Sequence, residues 1–129
     1  MGSGLIRALI VDDTVSNGRL LEAKLVKARL HVDMAESGED ALRFLDRHDY
    51  CIVLLDVMMP DMDGYEVSRR IRAHPRASAS PIIMITALDG AQARIDGLAA
   101  GADDFFVKPV EDEVLFSRIH DLIRARAAA

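Results

Sequence analysis

The sequence predicts an α/β protein in which five parallel strands are covered on both faces by helices. Short apolar runs alternate along the chain with longer segments whose apolar residues recur every three or four positions. Most of the runs are continuous, which is typical of strands buried on both faces, whereas the 3.6-residue period is typical of helices with one buried face. Strict alternation of the two implies right-handed crossovers and a parallel sheet.

Four strong apolar runs predict central strands, and a weaker fifth run predicts an edge strand. In the weaker run, 31–35, Val32 and Met34 alternate with polar neighbours, as expected of a strand with one solvated side. The stronger runs are 5–11, 51–55, 81–85 and 105–107.

The segments between the runs predict five helices, because each carries a stripe of apolar residues at helical spacing. The third helix should end at His74, which precedes Pro75, and Gly101 stands where a left-handed residue would end the fourth. The stripes are Leu21, Leu25 and Ala28; Ala41, Leu42 and Leu45; Val67 and Ile71; Ile95, Leu98, Ala99 and Ala102; and Leu115, Ile119, Leu122 and Ile123.

Length and composition fit one globular domain. The chain has 129 residues, of which 50% are hydrophobic and 29% charged, and a chain of this size buries enough surface to form a core without disulfides. We expect one domain over residues 5–126, with residues 1–4 as an expression remnant outside the fold.

Charge, hydropathy and cysteine content exclude several classes of protein. The net charge of −5 disfavours direct nucleic-acid binding, which depends on neutralising phosphates with Lys and Arg. We interpret the basic cluster Arg69, Arg70, Arg72 and Arg76 as a solvated helix face. No apolar run approaches the ~20 residues of a membrane span. One cysteine, Cys51, closes no intrachain disulfide, which favours a reducing compartment and a cytoplasmic protein.

Polar residues follow the central strands at the points where the predicted strands end. Asp12 and Asp13 follow the first strand, Asp56 the third, Thr86 the fourth and Lys108 the fifth. In doubly wound sheets the ligand lies outside the carboxyl ends of the strands, near the point where strand order reverses. We therefore expect three carboxylates, one hydroxyl and one ammonium group to meet at one edge of the sheet.

Such a cluster of side chains fits magnesium-dependent phosphoryl transfer. Three neighbouring carboxylates repel each other, and a hard divalent cation such as Mg²⁺ relieves that repulsion. Lys108 and Thr86 supply a positive charge and a hydroxyl donor for phosphate oxygens, as positioning of a phosphoryl group requires. No Ser-His or Cys-His pair is placed at this edge, which favours a carboxylate nucleophile. Asp56 is our candidate, because it ends a buried strand and the Asp12–Asp13 pair is better suited to holding metal.

Each of these residues also has a plain structural interpretation. Asp12 and Asp13 are equally compatible, on their own, with capping the first helix. Lys108 alone is compatible with a solvated loop, and Thr86 with the end of a strand. Their joint placement favours a site. We interpret Asp61 and Asp63 as turn and helix-start residues rather than ligands.

At these positions the sequence resembles the receiver domain of two-component response regulators, from about Ile6 to Ile123. That resemblance implies a flavodoxin-like (βα)5 fold with strand order 2-1-3-4-5. The segments 85–90 and 101–105 are most similar to receivers attached to diguanylate cyclases. The matching motifs are Val11-Asp12-Asp13, Leu55-Asp56-Val57-Met58-Met59-Pro60, Asp61-Met62-Asp63-Gly64, Thr86-Ala87, Gly101-Ala102-Asp103 and Lys108-Pro109.

The resemblance implies a phosphoacceptor site with bound Mg²⁺. Asp56 would accept a phosphoryl group from a phosphohistidine on a histidine kinase or histidine phosphotransfer protein. Asp13, Asp56 and the backbone carbonyl of Met58 would ligate the metal, and Asp12 would act through water. Such a domain catalyses only its own phosphorylation and dephosphorylation, and so is not an enzyme with a separate substrate.

The resemblance also implies a switch. Thr86 and Lys108 would contact the phosphoryl oxygens, and Ala87 is small where bulk would obstruct the phosphate. The aromatic residue that follows the hydroxyl inward would be Phe105, which lacks a tyrosine hydroxyl and can report only by ring packing. The output would be a change in the face formed by the fourth helix, fifth strand and fifth helix, read by an effector domain, a downstream protein or a second copy.

Met58 and Leu88 lie two residues beyond Asp56 and Thr86 and are both apolar. Neither can orient an attacking water, so we expect slow loss of the phosphoryl group.

Two alternatives remain at this stage. A pseudo-receiver would bind partners without accepting phosphate, although the acidic residues and lysine that such proteins usually lack are all present. A phosphatase of the haloacid-dehalogenase type also uses a strand-end aspartate and Mg²⁺, but that family typically has a second aspartate where this chain has Met58.

Overall fold

The computed structural model describes residues 6–128 as five strands alternating with five helices. The expected expression remnant and Leu5 lie outside the described residues. In chain order the elements are β1 Arg7–Val11, α1 Val15–Lys27, β2 His31–Ala35, α2 Gly38–Arg47, β3 Ile52–Leu55, α3 Gly64–Arg72, β4 Ile82–Thr86, α4 Ala91–Ala99, β5 Asp104–Val107 and α5 Asp112–Ala128.

All strand pairs are parallel, and the sheet order is β2-β1-β3-β4-β5. The predicted flavodoxin-like fold and strand order are therefore confirmed. Strand order reverses between β1 and β3, where Val11 pairs with Leu55. On the other side Thr86, which is the last residue of β4 rather than the first after it, pairs with Val107. These registers bring the residues after β1, β3 and β5 to one edge of the sheet.

Helices cover both faces of the sheet, which explains the continuous apolar runs. Val11, Val53 and Leu55 face α2, α3 and α4 in one core layer. Ile10 and Leu54 face α1 and α5 in the other. The predicted edge strand has the predicted bounds and lies at the end of the sheet with only partial burial.

The predicted buried stripe of α4 is wrong for Ile95, Leu98 and Ala99, whereas Ala102, just after the helix, is buried as predicted. Ile95 and Leu98 are 57% and 40% exposed, and the helix buries Ala93 and Gly97 instead. A side-chain carbon at Gly97 would lie 2.7 Å from the Phe105 ring, so the helix approaches the sheet too closely for large residues. The large apolar residues of α4 therefore point to solvent.

The carboxyl end of α4 is closed as predicted by Gly101, whose φ is +106°. The N–H groups of Gly101 and Ala102 donate to the carbonyls of Leu98 and Gly97, at 3.0 and 3.1 Å. This pair of bonds is a Schellman motif, which glycine favours because it has no side chain to strain the left-handed residue.

The basic cluster on and after α3 is not wholly solvated. Arg69 and Arg70 are exposed and pair with Glu66 on their own helix. Arg72 is partly buried and donates to the carbonyls of Ser80 and Gly101, at 2.6 and 2.9 Å, and also to Asp103. The solvated-face interpretation is therefore wrong for Arg72, which joins α3 to the loops around β4 and β5. Among residues 6–128, no helix combines the length and apolarity needed to cross a membrane.

Candidate functional site

Three carboxylates meet at the carboxyl edge of the sheet, where the strand order reverses. Asp12, Asp13 and Asp56 each present an oxygen within 4.8 Å of the others. The backbone N–H of Asp12 donates to the carbonyl of Ala35, and that of Asp56 to the carbonyl of Val11 at 2.9 Å. Ladder bonds thus continue past the ends of the strands and hold the acidic residues in place.

Asp56 lies at the base of this cluster and is 9% exposed. Its Oδ1 accepts a hydrogen bond from the backbone N–H of Met58 at 3.3 Å, which holds the carboxylate toward the edge of the sheet.

Gly64, the first residue of α3, allows the helix to start directly against the Asp56 backbone. A side-chain carbon at this position would lie 2.3 Å from the Asp56 carbonyl oxygen and 2.6 Å from the Cα of Val57. The Gly64 N–H donates to the Val57 carbonyl at 2.9 Å. The sequence predicted turn and helix-start residues in this segment but not the close approach, of which a glycine directly after Asp63 was the available signal.

Lys108 brings a positive charge into the acidic cluster. Its Nζ lies 3.5 Å from Asp12 Oδ2 and 3.8 Å from Asp56 Oδ2. The Lys108 backbone N–H donates to the carbonyl of Thr86 at 2.8 Å, so pairing with β4 positions it. One ammonium group therefore lies near two of the three carboxylates.

Burial and a neighbouring carboxylate both raise the pKa of Asp12. Burial raises that pKa above its usual value, and the neighbouring Asp56 carboxylate raises it further, against the opposing effects of the Thr14 N–H and Lys108. Asp12, partly buried, and Asp13, exposed, offer oxygen ligands beside Asp56. This set of donors fits a hard divalent cation such as Mg²⁺.

The structure places Thr86 and Ala87 differently from each other. Thr86 is fully buried, and its Oγ1 accepts a hydrogen bond from the Leu88 N–H at 3.2 Å. Within the described part of the chain, no hydrogen bond joins the Thr86 hydroxyl to the carboxylates. Ala87 is exposed. The hydroxyl therefore organises the turn after β4 in this state.

Phe105 lies in the core rather than at the surface. Its ring and the Met84 sulfur occupy the space where a side chain on Gly97 would lie, so Phe105 packs directly against α4. Met58 is 57% exposed beside Asp56, whereas Leu88 packs partly buried against the core.

A cavity of about 280 Å³ that sequence reasoning did not anticipate opens beside Asp12, Asp56 and Lys108. It lies between α1 and α5, and its walls are mainly apolar. An ion pair of 2.9 Å between Lys24 and Asp112 joins the two helices there. The apolar residues that line it are scattered over α1, α5 and three strands, so no local sequence pattern predicts the cavity.

Fold and site together define a class: doubly wound α/β proteins with an acidic, lysine-containing site at the carboxyl edge of a five-stranded parallel sheet. The family model for the response regulator receiver domain matches residues 8–120. The chain belongs to this family, as the resemblance predicted, and its function is that of a phosphoacceptor domain in two-component signalling.

Individual relatives agree. Response regulator PleD of Caulobacter vibrioides is 48% identical over 118 residues, which cover 92% of this chain and 26% of that protein. The chain thus spans about a quarter of this relative. A putative response regulator from Chloroflexus aurantiacus has a TM-score of 0.88 at 36% identity, with 94% and 99% of the two chains covered. The receiver domain of the sensor histidine kinase PA1611 from Pseudomonas aeruginosa, solved with a magnesium ion coordinated in its active site cleft, has a TM-score of 0.85 at 31% identity, with 93% and 98% covered.

Proposed function

We propose that Asp56 is the phosphoacceptor and that its donor is a phosphohistidine on a histidine kinase or a histidine phosphotransfer protein. The observation that supports this proposal is the placement of Asp56 within 4.8 Å of Asp12 and Asp13 and 3.8 Å from the Lys108 ammonium, at the edge where strand order reverses. Of the three acidic residues, only Asp56 is buried, whereas Asp12 is partly buried and Asp13 is exposed.

In the proposed reaction an Asp56 carboxylate oxygen attacks phosphorus, and the phosphorus–nitrogen bond of the donor breaks. The imidazole leaves as the neutral ring after taking up a proton, and an acyl phosphate forms on Asp56. Met58 N–H holds Oδ1, which leaves Oδ2, the oxygen nearer Lys108, for the new bond. Lys108 and the hydroxyl of Thr86 would then contact the phosphoryl oxygens, beside the small side chain of Ala87.

Asp12, Asp13, Asp56 and the backbone carbonyl of Met58 would hold Mg²⁺, with Asp12 acting through water. When bound, the metal neutralises charge that the acceptor and the incoming phosphoryl group would otherwise share. The magnesium ion in the Pseudomonas aeruginosa receiver supports this assignment. Burial, and to a smaller extent the Asp56 carboxylate, raise the pKa of Asp12, and a bound cation would stabilise its charged form.

Phosphorylation adds roughly −1.5 to −2 charges and would draw the Thr86 hydroxyl away from the Leu88 N–H. The change would be read on the α4–β5–α5 face, which exposes Ile95, Leu98 and Val107. An effector domain, a downstream protein or a second copy of the chain would bind there. In this role the chain is a signalling phosphoacceptor rather than an enzyme with a separate substrate, and its free thiol, Cys51, supports a cytoplasmic location.

Intact-mass measurement after treatment with acetyl phosphate and Mg²⁺ tests the proposal. The unsubstituted chain should gain the mass of one phosphoryl group, and Asp56→Ala should gain none. Asp61→Asn is the matched control, because Asp61 lies in the same loop at a φ of +67° that asparagine tolerates, and it should behave as the unsubstituted chain does. Equal labelling of Asp56→Ala would refute the assignment, and no labelling of any chain would favour the pseudo-receiver.

A further inference from the structure

The two ends of α4 are held in very different ways. At the carboxyl end, the buried Ser68 hydroxyl donates to the Ala100 carbonyl at 2.8 Å, and Arg72 donates to the Gly101 carbonyl at 2.9 Å. The Schellman bonds of Gly101 and Ala102 add to these. This end is therefore pinned to α3 by buried and partly buried polar contacts.

The amino end of α4 is held weakly. Its N-cap residue, Gly90, has a φ of +115° and makes no side-chain capping bond, and the first turn contains no acidic residue. Capping bonds and first-turn carboxylates are the usual stabilisers of a helix start. Two side chains tether the first turn: Arg94, half-exposed, donates to the Phe105 carbonyl at 2.8 Å, and Tyr65 of α3 donates to the Ala93 carbonyl at 3.2 Å.

Small residues on the buried face of α4 permit movement. Ala93 and Gly97 have little or no side chain to insert between residues of the sheet, and the larger Ile95 and Leu98 point to solvent. The helix therefore owes much of its position to the hydrogen bonds from α3.

Three residues of α3 make these bonds, and they lie at positions i, i+3 and i+7 of one helical stripe: Tyr65, Ser68 and Arg72. The stripe begins beside Gly64, which contacts the Asp56 backbone. It thus runs from the phosphoacceptor loop to the carboxyl end of α4.

We propose that the Tyr65 hydroxyl is a latch that holds the amino end of α4 against α3 in the unphosphorylated state, and that Ser68 and Arg72 form the pivot about which the helix turns when the latch opens. This proposal deepens the proposed function and rests on it for the trigger. Phosphorylation at Asp56 would draw Thr86 out of the turn that it forms with Leu88. The segment 87–90 would then pull the uncapped end of α4 away from Tyr65.

The latch also compensates for a feature of this chain. Phe105 has no hydroxyl that could form a hydrogen bond when the site is phosphorylated. Tyr65 has one, and it bonds to the first turn of α4, the helix expected to move. Burial, with the nearby Asp96 and Asp63 carboxylates, raises the pKa of Tyr65, so the phenol remains a hydrogen-bond donor at physiological pH.

Amide hydrogen exchange on the unphosphorylated chain with Mg²⁺ tests the latch directly. Tyr65→Phe should accelerate exchange about fivefold in residues 88–96, the effect of losing one hydrogen bond, and leave residues 97–103 unchanged. Ser68→Ala should accelerate residues 97–103 by a similar factor. Tyr50→Phe is the matched control, because it removes another tyrosine hydroxyl in a partly buried bond, here to Asp33 on the edge strand β2, and should leave α4 unchanged.

Phosphorylation of the unsubstituted chain should accelerate residues 88–96 and spare residues 97–103. Tyr65→Phe should also react with acetyl phosphate about fivefold faster, since the open conformer is more populated. Unchanged exchange in Tyr65→Phe, or acceleration spread evenly over α4, overturns the latch. The exchange comparison uses unphosphorylated protein, so it tests the latch separately from the phosphoacceptor role of Asp56. Failure of the chain to gain a phosphoryl group would refute that role without refuting the latch. Unchanged exchange in Tyr65→Phe would refute the latch even if Asp56 is phosphorylated.

Discussion

At the scale of single residues, charge dominates the site. Lys108 faces carboxylates of Asp12 and Asp56 at 3.5 and 3.8 Å, while Asp13 adds a third negative charge nearby. Repulsion among these carboxylates therefore destabilises the fold when no metal is bound. The same repulsion makes the cluster attractive to a cation.

The raised pKa of Asp12 predicts how its contribution to stability changes with pH. A carboxyl whose pKa is higher in the folded than in the unfolded chain binds more protons when folded, so its contribution to stability falls as pH rises from the unfolded value of 3.8 through the raised value. At neutral pH without metal, Asp12→Asn should therefore increase the free energy of unfolding, as measured by urea denaturation.

Adding Mg²⁺ should favour the unsubstituted chain over Asp12→Asn in stability. At ten times its Kd the ion should stabilise the unsubstituted chain by about 1.4 kcal/mol, and it should stabilise Asp12→Asn less. Asp89→Asn, in an exposed loop, is the control and should match the unsubstituted chain in both conditions. A lower unfolding free energy for apo Asp12→Asn at pH 7 would contradict this account.

Met58 sets the expected lifetime of the acyl phosphate. It is exposed beside Asp56 and offers no group that holds water, so Met58→Asn should speed dephosphorylation about tenfold, or about 1.4 kcal/mol in the barrier. Decay of the phosphorylated mass over time is the measurement. Val114→Asn changes an exposed apolar residue of α5, and its phosphorylated form should lose phosphate at the same rate as the unsubstituted chain. An unchanged dephosphorylation rate for Met58→Asn would contradict this role of Met58.

At the scale of elements, the start of α3 determines how the phosphoacceptor is presented. A methyl group at Gly64 would lie 2.3 Å from the Asp56 carbonyl oxygen, which is backbone and cannot swing aside. Gly64→Ala should therefore destabilise the fold by about 1–3 kcal/mol and slow phosphorylation by acetyl phosphate.

A second helical glycine provides the control. Gly18 in α1 has its nearest neighbour, the Met34 sulfur, at 3.5 Å, which is ordinary contact. Gly18→Ala should be neutral or stabilising by up to about 1 kcal/mol, because alanine is the better helix former. Equal effects of the two substitutions on urea denaturation would show that the contact at Gly64 does not matter.

At the scale of the whole molecule, the α4–β5–α5 face is the surface on which a signal would leave the domain. Ile95 is its most exposed large apolar residue on α4. Ile95→Asp should change unfolding free energy by no more than about 0.5 kcal/mol, as for most surface substitutions, and should weaken any association that phosphorylation induces.

Sedimentation velocity before and after treatment with acetyl phosphate measures that association. If the phosphorylated chain forms a dimer and Ile95→Asp forms it equally well, the pair is held by another face. Leu20→Asp on α1, which is also exposed, is the matched control and should leave such a dimer intact.

Much of the secondary structure could be predicted from the sequence, because the patterns that predict it are local. Continuous apolar runs and helical stripes depend only on residues a few positions apart, and they predicted the alternating elements, the edge strand at 31–35 and the Gly101 terminus. Placement of polar residues at strand ends, with the family's motifs, predicted the fold and the class of protein. The roles of individual site residues stay predictions.

Tertiary structure alone decided which side of α4 is buried. Ile95 and Leu98 form the better local stripe, yet the approach of the helix to Phe105 admits only Ala93 and Gly97 there. It also decided that Arg72 joins loops, that Gly64 contacts the Asp56 backbone, and that Tyr65 reaches the Ala93 carbonyl. Each of these contacts joins groups that are far apart in the chain and a few ångströms apart in space. Sequence periodicity reports only on residues a few positions apart, so it could not predict them.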